Sequence, residues 1–435
     1  MSSPVPPGTP ATAWPTAARL LVRWLDLNER VDALLEGLPR TWPRAERARC
    51  QALLFGAVRN LGRIESHLTT LLARPPRARV RAVLLLAGYE LIEGGGDGHT
   101  ARVVHHAVEQ AKALASPAEA RLVNAVVRKL ATALAAEAEP GPQASTKALA
   151  AYFSHPQWLV DRWWAQFGPE ATRALLAWNQ RPAPLYARWR LRERGPTDAE
   201  LAWLVPTPWA GFYEIKPGHW ADAEPLLASG VLYVQDPATR LAVELLAPQA
   251  GEAVLDACAA PGGKSVAIAD AMGRGRVVAI DLPGPRIERL KSNLALAPSG
   301  VDVALVPADL AKNARKLLEE FSLPLEYPAV LIDVPCSNTG VMRHRVDVKW
   351  RLQEGDFHKH AQQQLALLSG AARYVAPGGR LVYSTCSLDA DENERVVEAF
   401  RRKSAGRFDL VDQRMSRPWE TGHDGAAVFL LRRTE

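Results

Sequence analysis

Two of the chain's four cysteines follow apolar runs that read as buried strands: Cys336 in DVPCSNTG after Ala329-Val330-Leu331-Ile332, and Cys386 in YSTCS after Arg380-Leu381-Val382. Each is followed by a serine. Two thiols 50 residues apart admit three chemistries: a redox pair, a metal pair, or a nucleophile with a partner. A thiol-disulfide oxidoreductase wants CxxC, which the chain lacks. A metal pair wants further Cys or His at ligand spacing, but His358 and His360 stand in a polar helix start, so no metal is expected. A nucleophile needs a thiol pKa lowered from near ~8.5 by basic groups, and Lys264, Arg343 and Lys349 are the candidates. Cys50, in a helical pattern, and Cys258, in a small-residue loop, read as small buried hydrophobes.

A second constellation is AVLDACAAPGGKS, Ala253 to Ser265: a strand, a loop with two glycines, then a helix. Pro261-Gly262-Gly263 leaves a backbone path that side chains would obstruct, so a flat or charged ligand can approach the helix N-terminus. The spacing matches neither GxGxxG nor GxxxxGK[ST], which argues against a dinucleotide or P-loop site. Asp281 closes the next strand, where such folds hydrogen-bond ribose hydroxyls, and Asp309 and Asp333 follow the two strands after that. Singly, each aspartate reads as a helix N-cap, and Asp309 before Leu310-Ala311-Lys312 fits that well. Together with the glycine loop they suit a neutral-to-cationic nucleoside, for which S-adenosylmethionine is the natural choice.

These residues need a scaffold that brings several strand ends together. From Gly230 onward strands alternate with helices: Val231–Val234, Ala253–Cys258, Arg276–Asp281, Val301–Val306, Ala329–Asp333, Arg380–Ser384 and Ala426–Arg432. Such alternation predicts a parallel, doubly wound sheet that binds ligands at its carboxyl edge. Asp236-Pro237 opens the first helix with an N-cap and a first-turn proline. Ahead of it, residues 147–235 read as a small α+β adaptor, with a helix over Pro156–Trp178 and a short strand at Tyr186–Leu191. Residues 16–139 read as an all-α bundle, interrupted at Arg74-Pro75-Pro76 and at Gly94-Gly95-Gly96. Within it Leu20, Leu21, Trp24 and Leu25 share one face, and Leu53, Leu54, Ala57, Val58 and Leu61 share another. Residues 1–15 read as a disordered leader, residues 139–145 as a linker, and residues 236–435 as the α/β domain.

At 435 residues the chain suits two or three domains, and no disulfide framework is expected. It shows neither a signal peptide nor an apolar run of membrane-spanning length, which predicts a cytoplasmic protein without a membrane partner. The formal net charge of +6 resides in residues 1–150, which hold 19 Lys and Arg against 13 Asp and Glu. A basic front beside a neutral body points to a polyanion, with nucleic acid leading.

CAAPGGKS, DVPCSNTGVMRHRVDVKW and YSTCSLDADEN closely resemble the motifs of the RNA cytosine-5 methyltransferases that use S-adenosylmethionine. FGAVRNLGRIESHL, LVNAVVRKL, FSHPQWLVDRWW and YVQDPATRLAVELLAP resemble the RsmB (Sun/Fmu) branch of bacterial enzymes, which carries a NusB-like RNA-binding front and acts on 16S ribosomal RNA. The resemblance covers nearly the whole chain. It implies a NusB-like bundle, the small α+β adaptor and a C-terminal Rossmann-like methyltransferase domain; nothing in the sequence demands a dimer, so a monomer is expected. The resemblance also implies that Cys386 is the nucleophile adding to cytosine C6, that Cys336 assists product release, and that Asp333 contacts the base or the cofactor region. The run Cys258, Ala259, Ala260, Pro261, Gly262, Gly263, Lys264, with Asp281, Asp309 and Asp333, corresponds to the S-adenosylmethionine site. Covalent attack is needed because cytosine C5 is not nucleophilic until something adds at C6.

The chain departs from the family pattern at Val334, where alanine is commoner, at Arg343-His344-Arg345-Val346, which alters residues expected to touch RNA, and at the glycine-rich stretch Gly94–Gly98. Another RNA, such as tRNA, is the alternative substrate. A DNA cytosine methyltransferase would attack with the Pro-Cys cysteine and has no use for YSTCS. A non-catalytic RNA-binding or antitermination factor would explain the front but neither strand-end cysteine.

Overall fold

The computed structural model describes residues 13–39 and 41–434. Its contacts divide the chain into two compact units, Met1–Pro182 with Met342–Leu352, and Ala183–Val341 with Gln353–Glu435. The division falls after Pro182, inside the 147–235 stretch expected as one adaptor, so its first three helices belong to one unit and its strands, with two short helices, to the other. Of the leader expected over residues 1–15, residues 1–12 lie outside the described residues and 13–15 open the first helix.

The first unit is helical. Ala13–Leu27, Arg44–Arg59, Leu61–Leu71, Ala78–Glu93, His99–Leu114 and Pro117–Ala136 enclose one apolar core. The faces set by periodicity are the buried ones: Leu20, Leu21 and Trp24, then Leu53, Leu54, Ala57 and Val58, with Leu61 opening the next helix. The breaks fall across Pro75-Pro76 and across the glycine triplet, where Gly94 has φ +75°. Thr146–Tyr152, Gln157–Phe167 and Pro169–Gln180 complete this unit's succession of helices. The single helix expected over Pro156–Trp178 is two, because Gly168 at φ +81° ends the first and precedes Pro169 of the second.

Residues 342–352 pack into this helical unit. Val346 joins its core, the Trp350 indole N–H donates to the Val58 carbonyl at 2.8 Å, and the Val31 amide donates to Asp347 at 3.2 Å. The Arg343 guanidinium lies 4.0 Å from the Trp178 ring centroid, and Lys349, 2% exposed, donates to the Arg59 carbonyl.

The second unit holds two sheets. The smaller is antiparallel in the order β2-β3-β1-β4, with β1 Leu185–Trp189, β2 Leu204–Pro206, β3 Phe212–Ile215 and β4 Leu232–Val234. Pro206 is tolerated because β2 is an edge strand. The strand expected to begin the α/β alternation, Val231–Val234, therefore belongs to this sheet instead. It pairs with β1 through Trp189 and Leu232, which share a small core with Trp203.

The larger sheet has the order β10-β11-β9-β8-β5-β6-β7. Its strands are β5 Ala253–Ala257, β6 Gly275–Asp281, β7 Val301–Pro307, β8 Tyr327–Asp333, β9 Val375–Thr385, β10 Phe408–Ser416 and β11 Ala426–Arg433. β5 to β9 are parallel, but β11 runs antiparallel to β9 and β10, so the expectation of an all-parallel sheet is corrected to a mixed one. Strand order reverses between β5 and β8, which opens a crevice at their carboxyl ends. Both glycine-loop and Pro-Cys motifs leave from that point.

The sheets are joined by Asp270 on helix Gly263–Met272. Arg190, just past β1, grips it with Nε to Oδ2 and Nη2 to Oδ1, both at 2.8 Å, and Arg188 Nη2 lies 2.8 Å from Oδ2. All three side chains are largely buried. Asp270→Ala leaves two buried guanidinium groups without their counter-charge and is expected to cost about 3–5 kcal/mol. A urea titration read by tryptophan fluorescence measures it, and an unshifted midpoint would refute the assignment of Asp270 as the joint.

Candidate active site

β8 ends at Asp333 and β9 at Thr385, and the two strands are in register with Asp333 opposite Ser384. The loops that follow therefore leave side by side. Val334 N–H donates to the Ser384 carbonyl, Gly340 N–H to the Cys386 carbonyl at 2.9 Å, and Gly425 N–H to the Gly340 carbonyl. A Cβ on Gly340 would sit 2.8 Å from the Cys386 oxygen and 2.7 Å from the Gly425 oxygen, so only glycine lets the backbones approach this closely.

The result is a thiol pair, with Cys336 Sγ 3.2 Å from Cys386 Sγ. Cys386 also lies 3.3 Å from the Asn338 side-chain oxygen, and the Asn338 amide donates back to the Cys336 carbonyl. Cys336 is buried and Cys386 partly exposed. The hydrogen bond to Cys386, then burial, then the charges of Cys386 and Glu392 push the Cys336 thiol well above its ordinary value. Cys336 is thus the member whose surroundings favour the neutral thiol.

Asp333 accepts from Lys264 Nζ at 2.7 Å and from Ser384 Oγ at 2.9 Å. Burial pulls the Lys264 pKa down, but the Asp333 carboxylate, its hydrogen bond and the charge of Cys386 outweigh it, so the ammonium stays charged. Of the three basic groups suggested by the sequence, Lys264 is the one tied electrostatically to the thiols. Arg343 and Lys349 are packing residues of the helical unit, where burial, and then the Arg59 charge, push the Lys349 amine well below its usual range.

The glycine loop forms as read. Gly262 has φ +105°, and a Cβ there would lie 2.9 Å from Leu290 Cδ1. Cys258 also has positive φ, and burial with the charges of Asp281 and Asp333 pushes its thiol up to about 12, in keeping with a neutral wall residue. Asn293 donates to the Pro261 carbonyl, and Gln235 to that of Gly263. Buried Asp281 accepts from the Ala260 amide at 2.8 Å and pairs with Arg286, whose exposed side chain can swing away at little cost. Asp309 behaves as a turn cap: it accepts from the Ala311 amide and pairs with Lys312.

Two functional groups escaped the sequence reading. Asp256 is fully buried near the end of β5, accepts from Ser265, and has its pKa raised to about 7 by burial and by the charges of Asp333 and Asp281. Its Oδ1 is buried without a partner. A carboxylate inside the apolar run VLDAC was the available signal. The other is Glu392, fully buried behind both cysteines although it stands in the acidic run DADEN.

A small backbone-lined cradle, a buried carboxylate at its rim and an orphaned carboxylate oxygen below it fit a nucleoside bearing a positive charge. They do not fit a polyphosphate, which three carboxylates would repel. Beside the cradle, a partly exposed thiol backed by a protonated one can add to an electrophilic carbon and exchange a proton there.

A family model described as 16S rRNA methyltransferase RsmB/F matches residues 243–424, and a NusB family model matches residues 13–132. Ribosomal RNA small subunit methyltransferase B of Sodalis glossinidius (strain morsitans) is 32% identical over 395 residues, covering 88% of each chain. The crystal structure of PH0851 matches with a TM-score of 0.75 at 21% identity, over 98% of this chain and 100% of that one. The structure of NSun6 from Pyrococcus horikoshii with SFG matches with a TM-score of 0.54 at 18% identity, over 64% of this chain and 98% of that one. The two structural likenesses are of fold.

Cys50, Cys258 and Cys336 all have thiols raised by their surroundings, Cys50 to about 11. Iodoacetamide at neutral pH is therefore expected to modify Cys386 before the other three. Peptide mass spectrometry after short exposure checks this; first labelling at Cys336 reverses the reading of the pair.

Proposed function

The chain belongs to the RsmB/F family of ribosomal RNA small subunit methyltransferases, and from that premise we propose that it methylates cytosine C5 in 16S ribosomal RNA through a covalent cysteine adduct. The observation that carries this reading is the 3.2 Å approach of Cys336 and Cys386, one thiol held neutral and the other partly exposed. A single-thiol mechanism has no need of such a pair.

In this reading Cys386 Sγ adds to C6 of the target cytosine, and the electron pair displaced from the C5–C6 bond makes C5 nucleophilic. S-adenosylmethionine is the methyl donor, supplying an electrophilic methyl group on a sulfonium. The loop Cys258–Lys264 with Asp281 and Asp256 would hold it, with Asp309 at the outer edge; NSun6, of like fold, is named with SFG. Lys264 and Asp333, joined at 2.7 Å, present a donor and an acceptor suited to the cytosine edge. Bonding of Cys386 to C6 removes the hydrogen bond and the charge that raise the Cys336 pKa, so Cys336 can release its proton to water; as thiolate it then takes the C5 proton of the substituted base, the C5–C6 double bond re-forms, and Cys386 leaves as thiolate. The pair divides attack from release because one thiol cannot be bonded to C6 and act as a base at C5 together.

The target base must leave its stack to reach these sulfurs, so a single-stranded or partly assembled RNA is the expected substrate. The NusB-type front, basic in sequence, supplies the matching electrostatic footprint, and the protein would act in the cytoplasm. Among the described residues no helix is long and apolar enough to cross a membrane.

Cys386→Ala is expected to abolish transfer of labelled methyl groups to 16S RNA while S-adenosylmethionine binding by calorimetry persists. Cys336→Ala should accumulate a covalent protein–RNA adduct, seen as a slow band on denaturing gels. Turnover by the first variant, or no adduct with the second, would falsify the assignment of roles.

A further inference from the structure

Both cysteines are followed by serine, and the two serines share one partner. Ser337 and Ser387 each donate a hydroxyl hydrogen to Oε2 of Glu392. The Ser337 amide donates to Oε1 at 2.9 Å, and Gln364, which also holds the Pro335 carbonyl, donates there at 2.9 Å. Four donors occupy the four acceptor positions of one carboxylate, and three belong to residues next to a catalytic thiol. The hydroxyl oxygens lie 3.1 Å apart, neighbours because they share an acceptor. Around them Thr339 accepts from the Leu388 amide and donates to Asp389, Asn393 bridges Thr385 and the Ser387 carbonyl, and Tyr383 donates to the Glu392 carbonyl. Glu392, Ser387, Thr339, Gln364 and Asn393 are fully buried, so water cannot replace a lost donor.

We propose that Glu392 is the positioning residue of the cysteine pair: by accepting from the residue after each cysteine, one buried carboxylate sets the separation and facing of Cys336 and Cys386. This rests on the reading of both thiols as catalytic. The loops also meet through the Gly340 backbone and through Thr339, which bonds Leu388, Asp389 and Ser387, but among the described residues Glu392 is the acceptor that takes a hydroxyl from the residue after each cysteine. Glu392 touches neither substrate nor sulfur and acts through the serines. Its charge also contributes to holding the Cys336 proton in place.

Phenylarsine oxide reports the sulfur geometry directly, because it condenses with two adjacent thiols to form two As–S bonds and release water. Wild-type protein should bind it one to one, and Cys336→Ser should not. In Glu392→Gln, the apparent affinity for phenylarsine oxide should fall at least about tenfold, as the effective concentration of one thiol at the other drops. Methyl-transfer kcat should fall about 100-fold, the usual consequence of a displacement near 1 Å. KM for RNA and Kd for S-adenosylmethionine should stay within about twofold, since neither contacts Glu392. Ser337→Ala and Ser387→Ala each remove one donor and should show the same split more mildly; they decide the matter if Glu392→Gln does not fold. Wild-type kcat in Glu392→Gln, or unchanged arsenical binding in both serine variants, overturns the proposal. Weakened arsenical binding in these variants, from an enzyme that does not methylate ribosomal RNA, sustains the positioning role and sinks the substrate reading.

Discussion

The geometry of this site depends on a buried carboxylate that must be satisfied. Glu392 has no access to water, and an unmatched carboxylate there would cost several kcal/mol, so each donor it finds is strongly held. The donors come from the loop after β8, the loop after β9, and helix Asp356–Ala371, three segments remote in sequence. A core of apolar side chains could bring these segments together, but it would leave their approach free to slide. Directional bonds to two oxygens fix register as well as distance, which a pair of sulfurs in near contact requires.

The carboxyl edge carries a second balance, of charge rather than geometry. Asp256 and Asp333 both lie at this edge; the charge of Asp333 raises the proton affinity of Asp256, and that of Lys264 opposes it. Lys264 is held by Asp333 and senses Cys386, so a single ammonium couples the cradle to the thiol pair. This placement explains why a lysine follows the glycines without a P-loop: its charge is committed to the Asp333 carboxylate. A phosphate-rich ligand would compete with Asp333 for it and meet the remaining carboxylates unshielded.

What was legible in the sequence was whatever period and punctuation encode locally. Helical faces such as Leu53-Leu54-Ala57-Val58, the breaks at Pro75-Pro76 and Gly94, and the central strands of apolar residues all appear where they were read. The strand β10 was missed because it lies at the sheet's edge and exposes Asp409, Asp412, Gln413 and Arg414, leaving no apolar run. The strand Leu232–Val234 was recognised but joined to the wrong sheet, because partner choice is a tertiary matter that a three-residue strand cannot announce. At the site, the cysteines and glycines were legible through type and spacing. Asp256 and Glu392 were not, since burial is what gives them their role, and a carboxylate's letter carries no sign of burial.

The same limit governs the stretch Met342–Leu352, whose Arg343, His344 and Arg345 read in sequence as RNA contacts and whose Lys349 reads as a basic group near the thiols. In the helical unit Arg343 lies over Trp178 with its guanidinium donating to the Pro182 carbonyl, and Lys349 is capped by the Arg59 carbonyl. Burial and three neighbouring arginines push His344 down to about 4, so it is neutral at physiological pH. Of these four residues Arg345 is the exposed one. Desolvated cations held by carbonyls and an indole face make poor phosphate ligands, because binding an anion would require taking them out of a packed interior. Their value is orientational: carbonyl and π-face contacts are directional, and with Trp350 and Val346 they seat this stretch, which follows directly on the Cys336 loop, in one defined way. Counting positive charges thus overstates what this stretch could offer a polyanion.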